Sequence, residues 1–124
     1  MVTTPEVSAI RDADRIIGLL EENQIRNLEL VVNRIRIDMV KKGDMMSVDD
    51  VTEILPIHLL GAIPDDEQVV IATNQGEPVI DLESLSGKAY MNICRRLTGE
   101  EVPFLDMNTK GGLLSRISHI FKKN

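Results

Sequence analysis

Residues 29–36 read Glu29-Leu30-Val31-Val32-Asn33-Arg34-Ile35-Arg36, a run rich in β-branched residues entered from Leu28 and broken near its end by one polar residue, Asn33. A short apolar run bounded by polar segments reads as a buried strand. In an open parallel sheet, ligands sit outside the carboxyl ends of the strands. A carboxamide placed where the apolar run gives out is therefore positioned either to read a ligand or to close a loop. We take the ligand as the expectation to be tested.

Toward the amino terminus, Met1 to Thr4 reads as the last residues of a strand, whose Val2-Thr3-Thr4 runs directly into a helical pattern. Thr4 is the expected cap and Pro5 the expected first helical residue, where a missing N–H costs nothing. Val7, Ile10, Ala13, Ile17 and Leu20 recur at three or four residues, predicting one apolar stripe to about residue 20. Arg11, Asp12, Asp14 and Arg15 fall mostly off that stripe.

On the other side, residues 37–46 read as a loop containing Lys41, Lys42 and Gly43. Ser47 with Asp50 resembles a capping box opening a helix whose Val48, Val51, Ile54 and Leu55 face inward until Pro56. Residues 57–63 form the next expected strand, ended by Pro64. Asp65, Asp66 and Glu67 then place negative charge in the first turn of a short helix to about Thr73, where free N–H groups favour it. Asn74-Gln75-Gly76 is the expected stop, and residues 77–82 an extended or looping return. Ser84 opens a last helix with Leu85, Ala89, Ile93 and Leu97 on one line, and Gly99 lies past its end. Cys94 in this helix reads as a small buried hydrophobe. Residues 100–109 form a linker marked by Pro103.

Strands alternating with helices imply an α/β class with a mostly parallel sheet covered on both faces. Three short strands make a small sheet, which reads as the second half of a doubly wound domain. The expected organisation is a body at 1–99, a linker at 100–109 and an amphipathic segment at 110–124.

The composition fits one globular domain: 124 residues, 43% hydrophobic and 27% charged. A lone cysteine makes no internal bridge, and no metal site is expected. The sequence opens on no charged-then-apolar leader, and the apolar-looking region at 54–64 is too short to span a membrane, so an intracellular protein is expected. The net charge of -6 hides an asymmetry: residues 110–124 carry Lys110, Arg116, Lys122 and Lys123 with no acid, leaving 10 bases against 20 acids in residues 1–109. An acidic body argues against a nucleic-acid partner, whereas a basic apolar end suits an anionic bilayer. Leu113, Leu114, Ile117, Ile120 and Phe121 share one helical face there, with Arg116, Lys122 and Lys123 beside or beyond it. Such a helix can lie in the membrane interface with its apolar face down, and a core helix packed on the body is the competing reading. Each large apolar side chain contributes about 1.5–3 kcal/mol and each base about 1 kcal/mol, against about 1–2 kcal/mol per residue for ordering the segment. One copy is thus expected to bind lipid weakly, and two held together much better.

Two short constellations carry candidate chemistry. Asn33-Arg34 and Pro64-Asp65-Asp66 fall at the ends of two strands that are expected neighbours, and an Asn carboxamide can both donate to and accept from an adenine edge. The bland reading is that Asn33 closes a loop and the two aspartates begin a helix. Gly87-Lys88 and Lys110-Gly111-Gly112 lack the spacing of a phosphate-binding loop, so no catalytic residue is assigned.

The segments Val2–Arg15, Leu30–Arg36, Gly43–Val51 and Ala72–Val79, together with the basic amphipathic end, resemble the MinD family of deviant Walker A ATPases in order and over essentially the whole chain. The resemblance implies the carboxy-terminal portion of a P-loop-type domain that binds ATP or ADP with magnesium, forms an ATP-driven homodimer and attaches to the inner face of the cell membrane. It assigns Asn33, Arg34, Pro64, Asp65 and Asp66 to an adenine pocket. It assigns the helix carrying Arg11, Asp12, Asp14 and Arg15 to docking of MinC and MinE. The departure is large: the glycine-rich phosphate loop, its signature lysine and the magnesium-holding carboxylates have no counterpart in this sequence. The chain by itself is therefore expected neither to hold nucleotide tightly nor to hydrolyse it. A stand-alone membrane adaptor derived from this fold, or another deviant Walker A protein, is the competing reading.

Overall fold

The computed structural model describes residues 1–81 and 83–107, with the backbone alone at Asp81; the amphipathic helix expected at 110–124 lies outside the described residues. Three parallel strands form one sheet in the order β1 (Val2–Thr3), β2 (Glu29–Ile35), β3 (His58–Pro64). Between them run α1 (Val7–Glu22), α2 (Ile37–Lys42) and α3 (Val48–Ile54). After β3 come α4 (Glu67–Gln75), a single 3₁₀ turn (Val79–Asp81) and α5 (Leu85–Leu97).

The core forms where α1 and α3 meet β2. Ile10, Ala13 and Ile17 of α1, Leu30, Val32 and Ile35 of β2, and Val51 with Leu55 beside it make one buried cluster. Strand side chains alternate between faces, so Leu30 and Val32 share this face while Val31 points to the other. On that second face, Val31 pairs with Gly61, and a methyl built on Gly61 would overlap the Ile93 side chain of α5. Gly61 is thus what lets α5 lie against β3. Helices on opposite faces bear out the α/β expectation, but among the described residues the second face is covered over β3 and open over β1, where Val2 is 65% exposed.

Register along β2 and β3 slips and then recovers. Glu29 faces His58 and Leu30 faces Leu59, but Val31 faces Gly61 and Val32 faces Ala62, before Ile35 returns to Pro64. Strand β3 holds one extra residue at Leu60, and β2 matches it at Asn33-Arg34, where Arg34 takes the left-handed conformation at φ 57°. A slip of one residue turns side chains to the opposite face. The second bulge restores the facing, so that Ile35 is again in the core.

Most local signals hold. Ser47 accepts from the Asp50 N–H at 3.1 Å while Asp50 accepts from the Ser47 N–H at 2.9 Å, completing the capping box. Ser84 caps α5 through the Gly87 N–H at 3.0 Å. Gly76 ends α4 at φ 74°, and Gly99 lies past α5 at φ 95°.

Other expectations need correction. Thr4 and Pro5 do not open α1; Glu6 is its cap, without a side-chain bond, because Pro5 is fully buried where the chain turns from β1. Residues 37–42 are helix rather than loop, with Asp38 in the first turn, Lys41 and Lys42 in the last and Gly43 at φ 79°. Six residues are too few to display a period, though the charges complement the helix dipole. Helix α4 runs two residues past Thr73, and the return at 77–82 holds the 3₁₀ turn. Ile54 and Leu97 are exposed, as is Cys94, since α5 buries Ser86, Gly87 and Ala89 instead.

Candidate functional site

Both constellations singled out in the sequence meet at the carboxyl end of the sheet. The Asp65 N–H donates to the Ile35 carbonyl at 2.9 Å, extending the β2–β3 ladder past the bulge and holding Arg34 beside Asp65. The Arg34 Nε lies 4.0 Å from an Asp65 carboxylate oxygen, with the two side chains 71% and 39% exposed. A pair this exposed contributes little to stability and leaves both groups free to turn toward a ligand.

The five residues do not all face one space. Arg34 and Asp65 border a cavity of about 360 Å³ whose other walls include Pro5, Arg36, Met39 and Met45. Asn33, half-buried, borders a different cavity of about 340 Å³ with Thr4, Ala9, Asp12 and Ile16. Successive strand residues face opposite sides, and the bulge at Asn33-Arg34 keeps Arg34 beside Asp65 rather than beside Asn33. The Asn33 carboxamide oxygen accepts from the Arg34 N–H at 2.9 Å, which closes the turn and leaves the NH₂ group to donate outward. Pro64 is buried at the end of β3.

Asp66 is committed to holding helices together. One carboxylate oxygen accepts from the Gln68 N–H at 2.9 Å as the cap of α4; the other accepts from the Ser86 hydroxyl at 2.6 Å and the Ser86 N–H at 3.4 Å. Burial pushes the carboxyl up, but the hydrogen bonds from the Ser86 hydroxyl, the Gln68 and Ser86 N–H groups and Ser84 outweigh it and hold Asp66 below the usual carboxylate range.

On α1, Arg11, Asp12, Asp14 and Arg15 are all exposed, the side chains of a solvated face. Asp12 also lines the cavity bordered by Asn33, so the expected docking helix and the expected base-reading residue share one space. Sequence reasoning missed Arg36, Met39 and Met45 as cavity walls, because Arg36 ends the run read as a strand and the two methionines lie in the segment read as a loop. Arg36 bonds Asp38 at 3.2 Å, and this hydrogen bond, with the attraction between the two opposite charges, raises the guanidinium pKa and lowers that of Asp38.

The fold and this edge define a class: part of a parallel α/β domain whose strand ends present a carboxamide and two cations to bordering cavities. No family model matches the chain. It is 51% identical over 120 residues to the septum site-determining protein MinD of Synechocystis, covering 94% of this chain and 45% of that protein. It is 48% identical over 124 residues to MinD of Bacillus subtilis, covering 98% and 46%. Among solved structures, MinD of Aquifex aeolicus superposes with a TM-score of 0.81 at 46% identity, over 85% of this chain and 45% of that one. A MinC:MinD complex from the same organism matches with a TM-score of 0.81. The chain is thus similar to MinD proteins over nearly its whole length, and it spans under half the length of the curated relatives it matches.

Proposed function

We propose that this chain forms the base-gripping and membrane-seeking portion of a MinD-type ATPase acting in division-site selection. In the assembled protein, the adenine of ATP or ADP lies across the strand ends, met by Asn33 from one cavity and by Arg34 and Asp65 from the other, while Pro64 and Asp66 fix the end of β3 beneath it. The observation that carries this reading is the 2.9 Å bond from Asp65 to Ile35, which joins the two constellations at the carboxyl ends of neighbouring parallel strands. A phosphate-binding loop and magnesium ligands have to come from sequence outside these 124 residues, since Gly-Lys followed by Ser or Thr does not occur here. The exposed face of α1 at Arg11, Asp12, Asp14 and Arg15 docks MinC and MinE; similarity to the MinD chain of a MinC:MinD complex supports the first of these. Residues 110–124 attach an ATP-driven homodimer to the cytoplasmic face of the inner membrane through Lys110, Leu113, Leu114, Arg116, Ile117, Ile120, Phe121, Lys122 and Lys123. The open sheet face at Val2 favours this over a self-sufficient adaptor, which would bury such a residue.

Two measurements on the purified 124-residue chain test the proposal. It turns over no ATP with magnesium, whereas AMP shifts the amide resonances of Asn33–Ile35 and Asp65, an effect weakened in Asn33→Ala. It co-sediments with anionic vesicles, and Ile117→Glu abolishes this while added salt weakens it only in part. Magnesium-dependent turnover, or vesicle binding unchanged by Ile117→Glu, overturns the assignment.

A further inference from the structure

A third cavity, of about 290 Å³, opens on the α3 side of the sheet and belongs to none of the residues assigned above to nucleotide or regulator. Its walls are apolar: Ile35, Val40, Val48, Leu59 and Ala62, with Asp49 among the lining residues. Ile37, Ser47 and residues 104–107 complete the wall, so the chain itself arrives at this groove as it leaves the described structure.

That arrival is fixed rather than loose. Arg96 of α5 donates to the Val102 carbonyl at 3.0 and 3.1 Å and to the Pro103 carbonyl at 3.1 Å, and its guanidinium stacks 4.0 Å over the Phe104 ring. The same side chain donates to the Leu60 carbonyl in β3 at 2.9 Å. The connector is therefore carried past β3 from the α5 side, and Met107 packs against the core on the α1 and α3 side.

We propose that this groove is the resting seat of the chain's own residues 113–121, which dock there through Leu114, Ile117 and Phe121 when no membrane is present. Five residues separate Met107 from Leu113, enough to reach about 20 Å when extended. A leash so short keeps the effective concentration near the millimolar range. Leu114, Ile117 and Phe121 follow the i, i+3, i+7 spacing by which an amphipathic helix anchors in a groove. A cavity near 300 Å³ is at the lower end of the range for ligand sites, suited to a few such anchors. Charge agrees as well: Asp49 lines the groove, and the segment carries Lys110, Arg116, Lys122 and Lys123 without an acid. The seat rests on the reading of 110–124 as a lipid-binding segment, and it sets a competition in which lipid must displace the body.

The sequence contains no tryptophan, so Phe121→Trp in the full chain places a single reporter in the segment. In buffer without lipid its emission is blue-shifted, and Val48→Asp in the groove returns it to the emission of a solvated indole. Val48→Asp also tightens binding to anionic vesicles about three- to tenfold, because the competing seat is gone. Should Val48→Asp unfold the chain by far-UV circular dichroism, Asp49→Lys on the exposed rim serves instead, with a partial red shift that disappears in high salt. A solvated emission in buffer that neither substitution alters overturns the seat. A blue shift that grows with protein concentration assigns the groove to a second copy and likewise overturns it. If the emission responds to the groove substitutions but no variant binds vesicles, the seat stands and the membrane reading fails.

Discussion

The Arg96 guanidinium donates to the Leu60 carbonyl at 2.9 Å, across 36 positions of sequence, at the residue where β3 carries one more residue than β2. A bulge leaves its extra residue outside the ladder, and an unpaired buried carbonyl is costly. Arg96 satisfies it and at the same time holds the connector. Burial lowers the Arg96 pKa, with a further push from Arg95, but the group stays charged at any ordinary pH.

Arg96→Ala is expected to cost about 2–3 kcal/mol, since hydrogen bonds from a charged donor contribute about 1.5–3 kcal/mol and the stacking on Phe104 adds to them. Urea denaturation measures it. Arg96→Lys recovers less than half, because an ammonium cannot span Leu60, Val102 and Pro103 with a planar fork.

Gly61 and Ile93 form a matched pair. Gly61→Ala is expected to cost about 1–3 kcal/mol by pushing α5 off β3. Combined with Ile93→Ala, the loss is smaller than the sum of the single losses, and a double-mutant cycle reads the difference.

Ser86→Ala removes the 2.6 Å bond to Asp66 and is expected to cost about 1.5–3 kcal/mol at neutral pH. Since Asp66 is held below its unfolded value of about 3.9, the contribution is present above that pH and is lost as pH falls through the lower folded value. The stability gap between the natural chain and Ser86→Ala is thus widest above about pH 5 and narrows below about pH 4. A constant gap across that range refutes the coupling.

Arg34→Gly is expected to leave stability unchanged or raise it by up to about 1 kcal/mol, because a left-handed residue with a side chain carries a penalty of that order. The same substitution weakens any AMP-induced shift at Asp65. Thermal unfolding and the nucleotide titration separate the two effects.

The features that came directly from the sequence are those satisfied within four residues along the chain. Ser47 with Asp50, Ser84 with Gly87, and the glycine stops at 76 and 99 bond or turn against near neighbours, so residue type and spacing suffice. The β-branched run at 29–35 and the apolar run at 57–63 announce strands from their own residue types, and the alternation with helices announces parallel pairing. Helix α2 was missed because six residues cannot show a period, and the outward turn of Ile54, Leu97 and Cys94 because a helical line does not say how wide its covering neighbour is.

By itself the sequence determined the alternation of three strands with the longer helices, the parallel class, the polar break at Asn33 and the likeness to MinD, all of which depend on local order along the chain. Only the tertiary structure decided that Asn33 and Arg34 face different cavities, that Asp66 serves Ser86 twenty residues away, and that Arg96 serves Leu60. Those partners are chosen by a pair of compensating bulges and by where α5 crosses β3. A buried carbonyl or carboxylate takes whichever donor the packing brings within 3 Å, and spacing along the chain carries no record of that distance.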